Sequence, residues 1–184
     1  MKKRLMMMAV TVLVALTAMG QKPLEFSTVI KQDSMGANAL YEAARSWFAE
    51  SFRNSKSVIQ NETPGKQIIG KGTMPFTAGM THMSINGFIE FLIDVQFRDG
   101  RMKLTMRNFD HKAGHKAMYD NNMGILVDEL PKNLGDLGLS AGQKSAYKYY
   151  FKHGKPMCEE TFNNVAESLT KYVADRKAQS SEEW

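Results

Sequence analysis

The fold is decided by the stretch 89–107, which is IEFLIDVQFRDGRMKLTMR. Apolar side chains occupy its odd positions before the central Asp99-Gly100 and its even positions after it. Such strict alternation is typical of β-strands that bury one face. Asp-Gly is also a preferred two-residue turn of β-hairpins. The stretch therefore predicts an antiparallel hairpin.

The turn determines the register of this hairpin, because a two-residue loop sets Arg98 opposite Arg101. Three apolar pairs then share one face, namely Phe97 with Met102, Val95 with Leu104, and Ile93 with Met106. The other face has Gln96 with Lys103, Asp94 with Thr105, Leu92 with Arg107, and Glu90 with Phe109. A shift by one residue would set apolar side chains opposite polar ones, so we expect this register along the whole hairpin.

Three strands and a helix are predicted on the N-terminal side of the hairpin. The strands are expected at 25–31, 57–61 and 66–76, and in the last of them Gly70 and Gly72 indicate a bulge or a close approach to the backbone. The helix is expected at 37–53, because apolar residues recur there at three- and four-residue steps. These residues are Ala37, Leu40, Tyr41, Ala44, Trp47, Phe48 and Phe52.

On the C-terminal side, a second amphipathic helix is predicted at 161–177. It follows an irregular, glycine-rich insertion at 113–160, in which 141–151 is a further helix candidate. Residues 179–184 are polar and are expected to form a flexible tail. Four consecutive strands after a helix favour an antiparallel sheet. The fold class is therefore α+β, a two-layer sandwich forming one domain over 21–178, with its core in 25–112 and the last helix.

The first 20 residues have the three parts of a secretory signal peptide. Lys2-Lys3-Arg4 is followed by an apolar run, and the small residue Gly20 precedes Gln21. The run is shorter than the about 20 apolar residues that a transmembrane helix needs. Cleavage near Gly20–Gln21 predicts an exported protein, periplasmic or extracellular, without a membrane span.

Removal of that segment changes the arguments from charge and cysteine content. The formal net charge falls from +5 to +2, so electrostatics gives no reason to expect a nucleic-acid partner. Cys158 is the single cysteine of the chain, so no disulfide framework is predicted, and no cysteine near residue 20 could carry a lipid anchor. We interpret Cys158 as a packed or exposed thiol rather than a nucleophile.

His111 and His115, with the neighbouring Asp110, are the strongest candidates for metal ligands. A structural zinc site needs four ligands and a catalytic site needs three and a water, whereas His82 and His153 are distant in the sequence. No metal site, no cofactor and no catalytic residue is therefore predicted.

Several short motifs follow one another in a characteristic order along the first part of the chain. They are Leu40-Tyr41, Ala44, Trp47-Phe48, Phe52, Ser55, Val58-Ile59, Ile69-Gly70-Lys71-Gly72, Asp99-Gly100-Arg101 and Asn108-Phe109. In these motifs, over about 26–112, the chain resembles a secreted bacterial family of domains of unknown function with TBP-like fold. The resemblance implies a curved antiparallel sheet covered by two helices, similar to a helix-grip fold, and implies no catalytic residues. Similar domains bind apolar ligands or protein partners. The chain departs from the family at Met102-Lys103-Leu104, where aromatic and basic residues are usual.

The outward face of the hairpin is the predicted binding surface. It would carry three apolar side chains, Phe88, Leu92 and Phe109, beside the basic Lys103 and Arg107. Exposed apolar residues surrounded by charge are typical of interaction sites. The alternative is that the insertion 113–160 folds back over them.

The sequence therefore favours an exported, non-catalytic module of the bacterial cell envelope that binds a protein partner or an apolar small ligand. One alternative is a secreted hydrolase-type enzyme with an unrecognised site. Another is a structural envelope protein that associates with itself.

Overall fold

The computed structural model describes residues 22–52, 58–114, 122–130, 134 and 140–182, so the expected signal peptide and His115 lie outside the described residues. A six-stranded antiparallel sheet forms one layer. Its strands are β1 (Phe26–Lys31), β2 (Ile59–Thr63), β3 (Gln67–Phe76), β4 (Gly87–Arg98), β5 (Arg101–Ala113) and β6 (Gly124–Ile125). Their order is β1-β5-β4-β3-β2, and β6 pairs with the far end of β5. The predicted α+β class and antiparallel sheet are confirmed.

Helix α1 (Ala37–Ser51) lies on one side of the sheet, as predicted. Its buried side chains are Leu40, Tyr41, Ala43, Ala44, Trp47 and Phe48. The hairpin turn fixes its start, because a carboxylate oxygen of Asp99 accepts a hydrogen bond from the Ala37 N–H at 2.8 Å. The N-cap residue Gly36 has no side chain for this purpose, so Asp99 satisfies one of the free N–H groups of the first turn.

The C-terminal region is more helical than the sequence predicts. Helix α2 (Ala141–Tyr149) continues through a π turn (Tyr150–Gly154) into α3 (Lys155–Glu182), which packs against α1 and β1. The predicted helix at 161–177 lies within α3, which is longer at both ends, and residues 179–182 of the expected tail are helical. Gly154 and Pro156 indicate a break between helices, but the chain stays helical there as a π turn, whose hydrogen bonds join residues five apart instead of four. Proline has no N–H to donate to the preceding turn and usually ends a helix. Here the chain reaches Pro156 through the π turn, in which the Lys155 N–H donates to the Tyr150 carbonyl.

The predicted hairpin register is confirmed from Arg98 opposite Arg101 to Leu92 opposite Arg107. Beyond that point it is wrong, because Glu90 pairs with Asp110 instead of Phe109. A β-bulge adds one residue to β5, and Asn108 within it has a positive φ of 56°. A bulge reverses which side chains of the following strand segment face the core.

The inner face of the sheet is closely packed against α1. Gly70 and Gly72 in β3 leave room for the rings of Phe48 and Phe91: a Cβ added at either glycine would lie 2.5 Å from Phe48 Cε1 or 2.3 Å from Phe91 Cε2. Of the two predictions for these glycines, the close approach to the backbone is confirmed, whereas β3 pairs with β4 through both glycines without a bulge. Phe48 is fully buried and Phe91 almost so.

Candidate functional site

The side of the sheet opposite α1 is the candidate site, and we call it the open face. It carries alternate residues of β1, β5, β4 and β3 that the register aligns in rows across the strands. From the hairpin turn outwards the rows are Lys31, Arg101 and Arg98; Val29, Lys103, Gln96 and Gln67; Ser27, Thr105, Asp94 and Ile69; Arg107, Leu92 and Lys71; and, past the bulge, Asp110, Glu90 and Thr73.

Four of the five predicted binding residues lie on the open face. Phe88 is 39% exposed, Lys103 is exposed, and Leu92 and Arg107 are half-buried. Phe109 was expected beside them, but the bulge turns it into the core, where its ring lies 5.5 Å from that of Phe91 and is fully buried. Placing Phe109 on the binding surface is therefore wrong.

A polar network fills the centre of the open face. Asp94 is 5% exposed, and its carboxylate accepts hydrogen bonds from the Gln67 amide at 2.8 Å and the Arg107 guanidinium at 3.2 Å. In the same row the Ser27 and Thr105 hydroxyls lie 3.1 Å apart. A buried carboxylate that is paired and hydrogen-bonded fixes the positions of its partners. Arg107 is therefore held by the sheet.

The end of the open face that is far from the hairpin turn is apolar with a charged border. A groove of ≈ 610 Å³ is lined there by Val58, Lys71, Gly72, Thr73, Met74, Pro75, Gly87, Phe88 and Glu90. The Lys71 ammonium and the Glu90 carboxylate form an ion pair of 2.7 Å at its border. A second groove of ≈ 280 Å³ lies at the bulge, and both Ile125 of β6 and Leu92 line it. The insertion thus borders the face at β6, and its described part leaves Phe88 exposed.

The end next to the hairpin turn has a different chemistry. A groove of ≈ 360 Å³ is lined by Val29, Gln96, Arg98, Arg101, Met102 and Lys103. Lys103 and Phe88, which the sequence places on one binding surface, lie at opposite ends of the face. Gln96 is directly opposite Lys103, and eight residues of extended strand between Gln96 and Phe88 span about 27 Å.

His111 is fully buried and is a structural residue. Its Nε2–H donates to the Ile85 carbonyl at 2.8 Å, and its Nδ1 accepts from the Met123 N–H at 3.1 Å. Burial lowers the pKa of this imidazole, which is held neutral. Both ring nitrogens are thus occupied. Across the part of the chain that the structure describes, no three His, Cys, Asp or Glu side chains come together as metal ligands.

A serine–histidine pair was missed by the sequence analysis. His82 Nε2 lies 3.0 Å from the hydroxyl of Ser145 on α2. The ring of Tyr149 is tilted against both neighbouring imidazoles, with its centroid 4.8 Å from that of His82 and 4.6 Å from that of His153. A serine nucleophile needs a histidine that a third group orients. The buried His82 Nδ1 has no such partner among the described residues. No sequence motif marks this pair, since its members are 63 residues apart.

Cys158 is completely buried on α3. Burial raises the pKa of its thiol to about 12. The thiolate, which is the reactive form, is therefore scarce at neutral pH. This supports the interpretation of Cys158 as a packed thiol and argues against a nucleophile.

We expect Cys158 in the native protein to react with a chromogenic disulfide reagent far more slowly than the free thiol of an unfolded chain. Burial blocks access and suppresses ionisation, and both effects disappear on unfolding. The measurement compares the rate in buffer with the rate in concentrated guanidinium, where one thiol per chain should react at once. Equal rates in the two solutions would contradict the burial of Cys158.

Comparisons with known proteins agree with this architecture. Residues 26–112, which run from the start of β1 almost to the end of β5, match the model of a family described as "Domain of unknown function (DUF4468) with TBP-like fold". Over this segment, 87 of its 184 residues, the chain is similar to the DUF4468 family. The resemblance stated from the sequence motifs is confirmed.

Two crystal structures share the TBP-like fold with this chain. A TBP-like protein from Parabacteroides distasonis ATCC 8503 superimposes with a TM-score of 0.57 at 12% identity, over 82% of this chain and 95% of the other. A DUF4468 family protein from Bacteroides ovatus ATCC 8483 gives 0.56 at 14% identity, over 80% and 86%. A search of the curated proteins finds no match. Among the described residues, no helix is long and apolar enough to span a membrane.

Proposed function

We propose that this protein is an exported, non-catalytic binding module of the bacterial cell envelope, and that a protein partner contacts the open face of its sheet. The observation that carries the proposal is Phe88, an aromatic side chain left 39% exposed beside the ≈ 610 Å³ groove. Aromatic residues are enriched at the centres of protein interfaces.

The surroundings of Phe88 support a protein partner. Pro75 lies opposite Phe88 on β3, and the ion pair of Lys71 and Glu90 borders the same groove. An apolar centre with a charged border is the usual anatomy of an interface that buries one or two anchor side chains. Among the described residues, no strand pairs with this edge of β3 beyond Gly70, where β2 begins at Ile59.

The packing of the inner face argues against an apolar ligand between helix and sheet. The rings of Phe48 and Phe91 lie so close to β3 that not even a methyl group fits at Gly70 or Gly72. The inward side chains of Ile93, Leu104 and Met106 are fully buried at the centre of the sheet. The described grooves open instead on the other side, which favours a partner outside the core.

Photo-crosslinking tests the proposal. A benzoylphenylalanine at position 88 of the full-length chain, produced in its native bacterial host, should form one discrete adduct of higher mass with another protein. The same amino acid at the exposed Asn164 of α3 is the matched control and should give none. An adduct of twice the mass of the chain would favour the self-associating alternative. Absence of any adduct at position 88 would contradict the proposal.

Export is tested separately on the same cells. N-terminal sequencing of the mature protein should begin at or near Gln21, and the protein should fractionate outside the cytoplasm. An intact Met1 in the cytoplasmic fraction would contradict the export part of the proposal while leaving the crosslinking result valid.

A further inference from the structure

The hairpin-turn end of the open face carries a row of like charges. Lys31 is directly opposite Arg101, and Arg101 is directly opposite Arg98, so three cations lie side by side on three neighbouring strands. Lys103 follows in the next row, two residues along β5. All four side chains are exposed on the same face. We call these four residues the basic row.

This arrangement costs folding free energy, because like charges directly opposite each other in a sheet repel. No carboxylate of the described residues forms an ion pair with any member of the basic row. Of the two nearby acids, Asp99 accepts the Ala37 N–H and Asp33 lies against Gly100 behind the turn. The repulsion is therefore not relieved by ion pairs within the described chain.

The rest of the open face is built differently, which makes the basic row a local feature. Each acid there has a basic partner: Asp94 has Arg107, Glu90 has Lys71, and Asp110 has Lys112. The formal charge after loss of the expected signal peptide is only +2, so the basic row is not a consequence of a basic chain. A cluster of unneutralised cations on a balanced protein points to an anionic partner.

The groove beside the basic row indicates the shape of that partner. It encloses ≈ 360 Å³, and Val29, 52% exposed, and Gln96 line it with the cations. The guanidinium groups of Arg98 and Arg101 match the two oxygens of a carboxylate. Alternate residues of an extended peptide are about 6.6 Å apart, which is the spacing of successive rows of the sheet.

We infer that the basic row binds an acidic segment of a protein, with glutamate or aspartate side chains facing Arg98 and Arg101 and an apolar side chain against Val29. The inference rests on the proposed function, since it names the chemistry of the partner that the open face contacts. It adds a second contact region to the groove at Phe88, because the ten residues from Phe88 to Arg98 span about 34 Å along β4.

A binding titration with defined probes tests the inference on the purified mature chain. The probe is a fluorescently labelled hexaglutamate peptide, compared with phosphatidylglycerol vesicles and inorganic phosphate. The double variant Arg98→Gln/Arg101→Gln should bind the peptide about tenfold more weakly than the native chain. The matched control, Lys148→Gln/Lys171→Gln, removes the same charge from exposed helical positions and should bind as the native chain does.

Each remaining outcome decides the matter. Added salt should weaken binding of the peptide, because salt screens exposed charges. Circular dichroism checks that both variants are folded. Binding to vesicles but not to peptide, displacement of the peptide by inorganic phosphate at equal concentration, or equal loss in the control variant would each overturn the inference. If the peptide fails to bind while the position-88 adduct still forms, the inference falls and the proposed function stands.

Discussion

Replacing Gly72 with alanine should destabilise the protein by about 3 kcal/mol, the upper part of the range for overpacked cores. The added Cβ would lie 2.3 Å from Cε2 of Phe91, which is closer than carbon atoms can approach. The Phe91 ring has little freedom to move away, because it is 5% exposed and packs against the buried ring of Phe109. The measurement is urea unfolding followed by circular dichroism.

Two further variants separate this clash from the general effect of replacing glycine. Gly142 on α2 has no atom within 4 Å of an added Cβ, so Gly142→Ala should raise stability by about 0.5–1 kcal/mol. Phe91→Leu shortens the clashing side chain, so Gly72→Ala combined with Phe91→Leu should lose clearly less stability than the two separate losses added together. Native stability of Gly72→Ala alone would contradict the packing described for β3.

The glycines of β3 show what the sequence can predict about packing. Two glycines within one predicted strand, Gly70 and Gly72, indicate a bulge or a close approach to the backbone, and the close approach is confirmed. Which groups approach could not be predicted, because Phe48 comes from α1 and Phe91 from β4. Contacts of this kind depend on how the layers are stacked, and a local pattern carries no information about stacking.

The bulge of β5 is a different case, because the sequence contains its signal. Apolar residues occupy even positions up to Met106 and then change phase to Phe109, with the polar Asn108 between them. Asparagine tolerates a positive φ better than most residues, and one type of bulge places a residue in that conformation. The register that the turn sets holds only up to Arg107, so it gives the wrong face for Phe109. The change of phase in the sequence therefore suffices to place Phe109 on the core side of β5.

The basic row is likewise predictable from the sequence in one part and not in the other. Arg98 and Arg101 flank a predictable turn, so their proximity follows from the hairpin alone. Lys31 joins them only because β1 pairs with β5, a contact between segments about 70 residues apart whose partner no alternation pattern specifies. The continuous helix from Ala141 was hidden by Gly154 and Pro156, which end helices in most sequences.

Replacing His111 with alanine should destabilise the protein by about 3–5 kcal/mol. The imidazole joins the Ile85 carbonyl to the Met123 N–H, and both of these residues are buried. Without it, each group loses its partner in the core at a cost of about 1–3 kcal/mol, and a cavity adds to the loss. Thermal unfolding at pH 7.5 measures the effect. His111→Gln keeps one donor and one acceptor, so it should lose less.

The same residue should make the stability of the protein depend on pH. Burial lowers the pKa of His111 in the folded state, so below about 6.5 the unfolded chain takes up the proton more readily than the folded one. Stability from this group is therefore complete above about pH 6.5 and is lost as the pH falls from there towards the folded pKa. Urea unfolding at steps between about pH 7.5 and 5 should show this loss in the native chain and in His82→Gln. His111→Gln, which has no imidazole to protonate, should show a flatter dependence over the same range. An equal slope in His111→Gln and the native chain would mean that another group takes up the proton, and that the neutral imidazole between Ile85 and Met123 is not what acid disrupts.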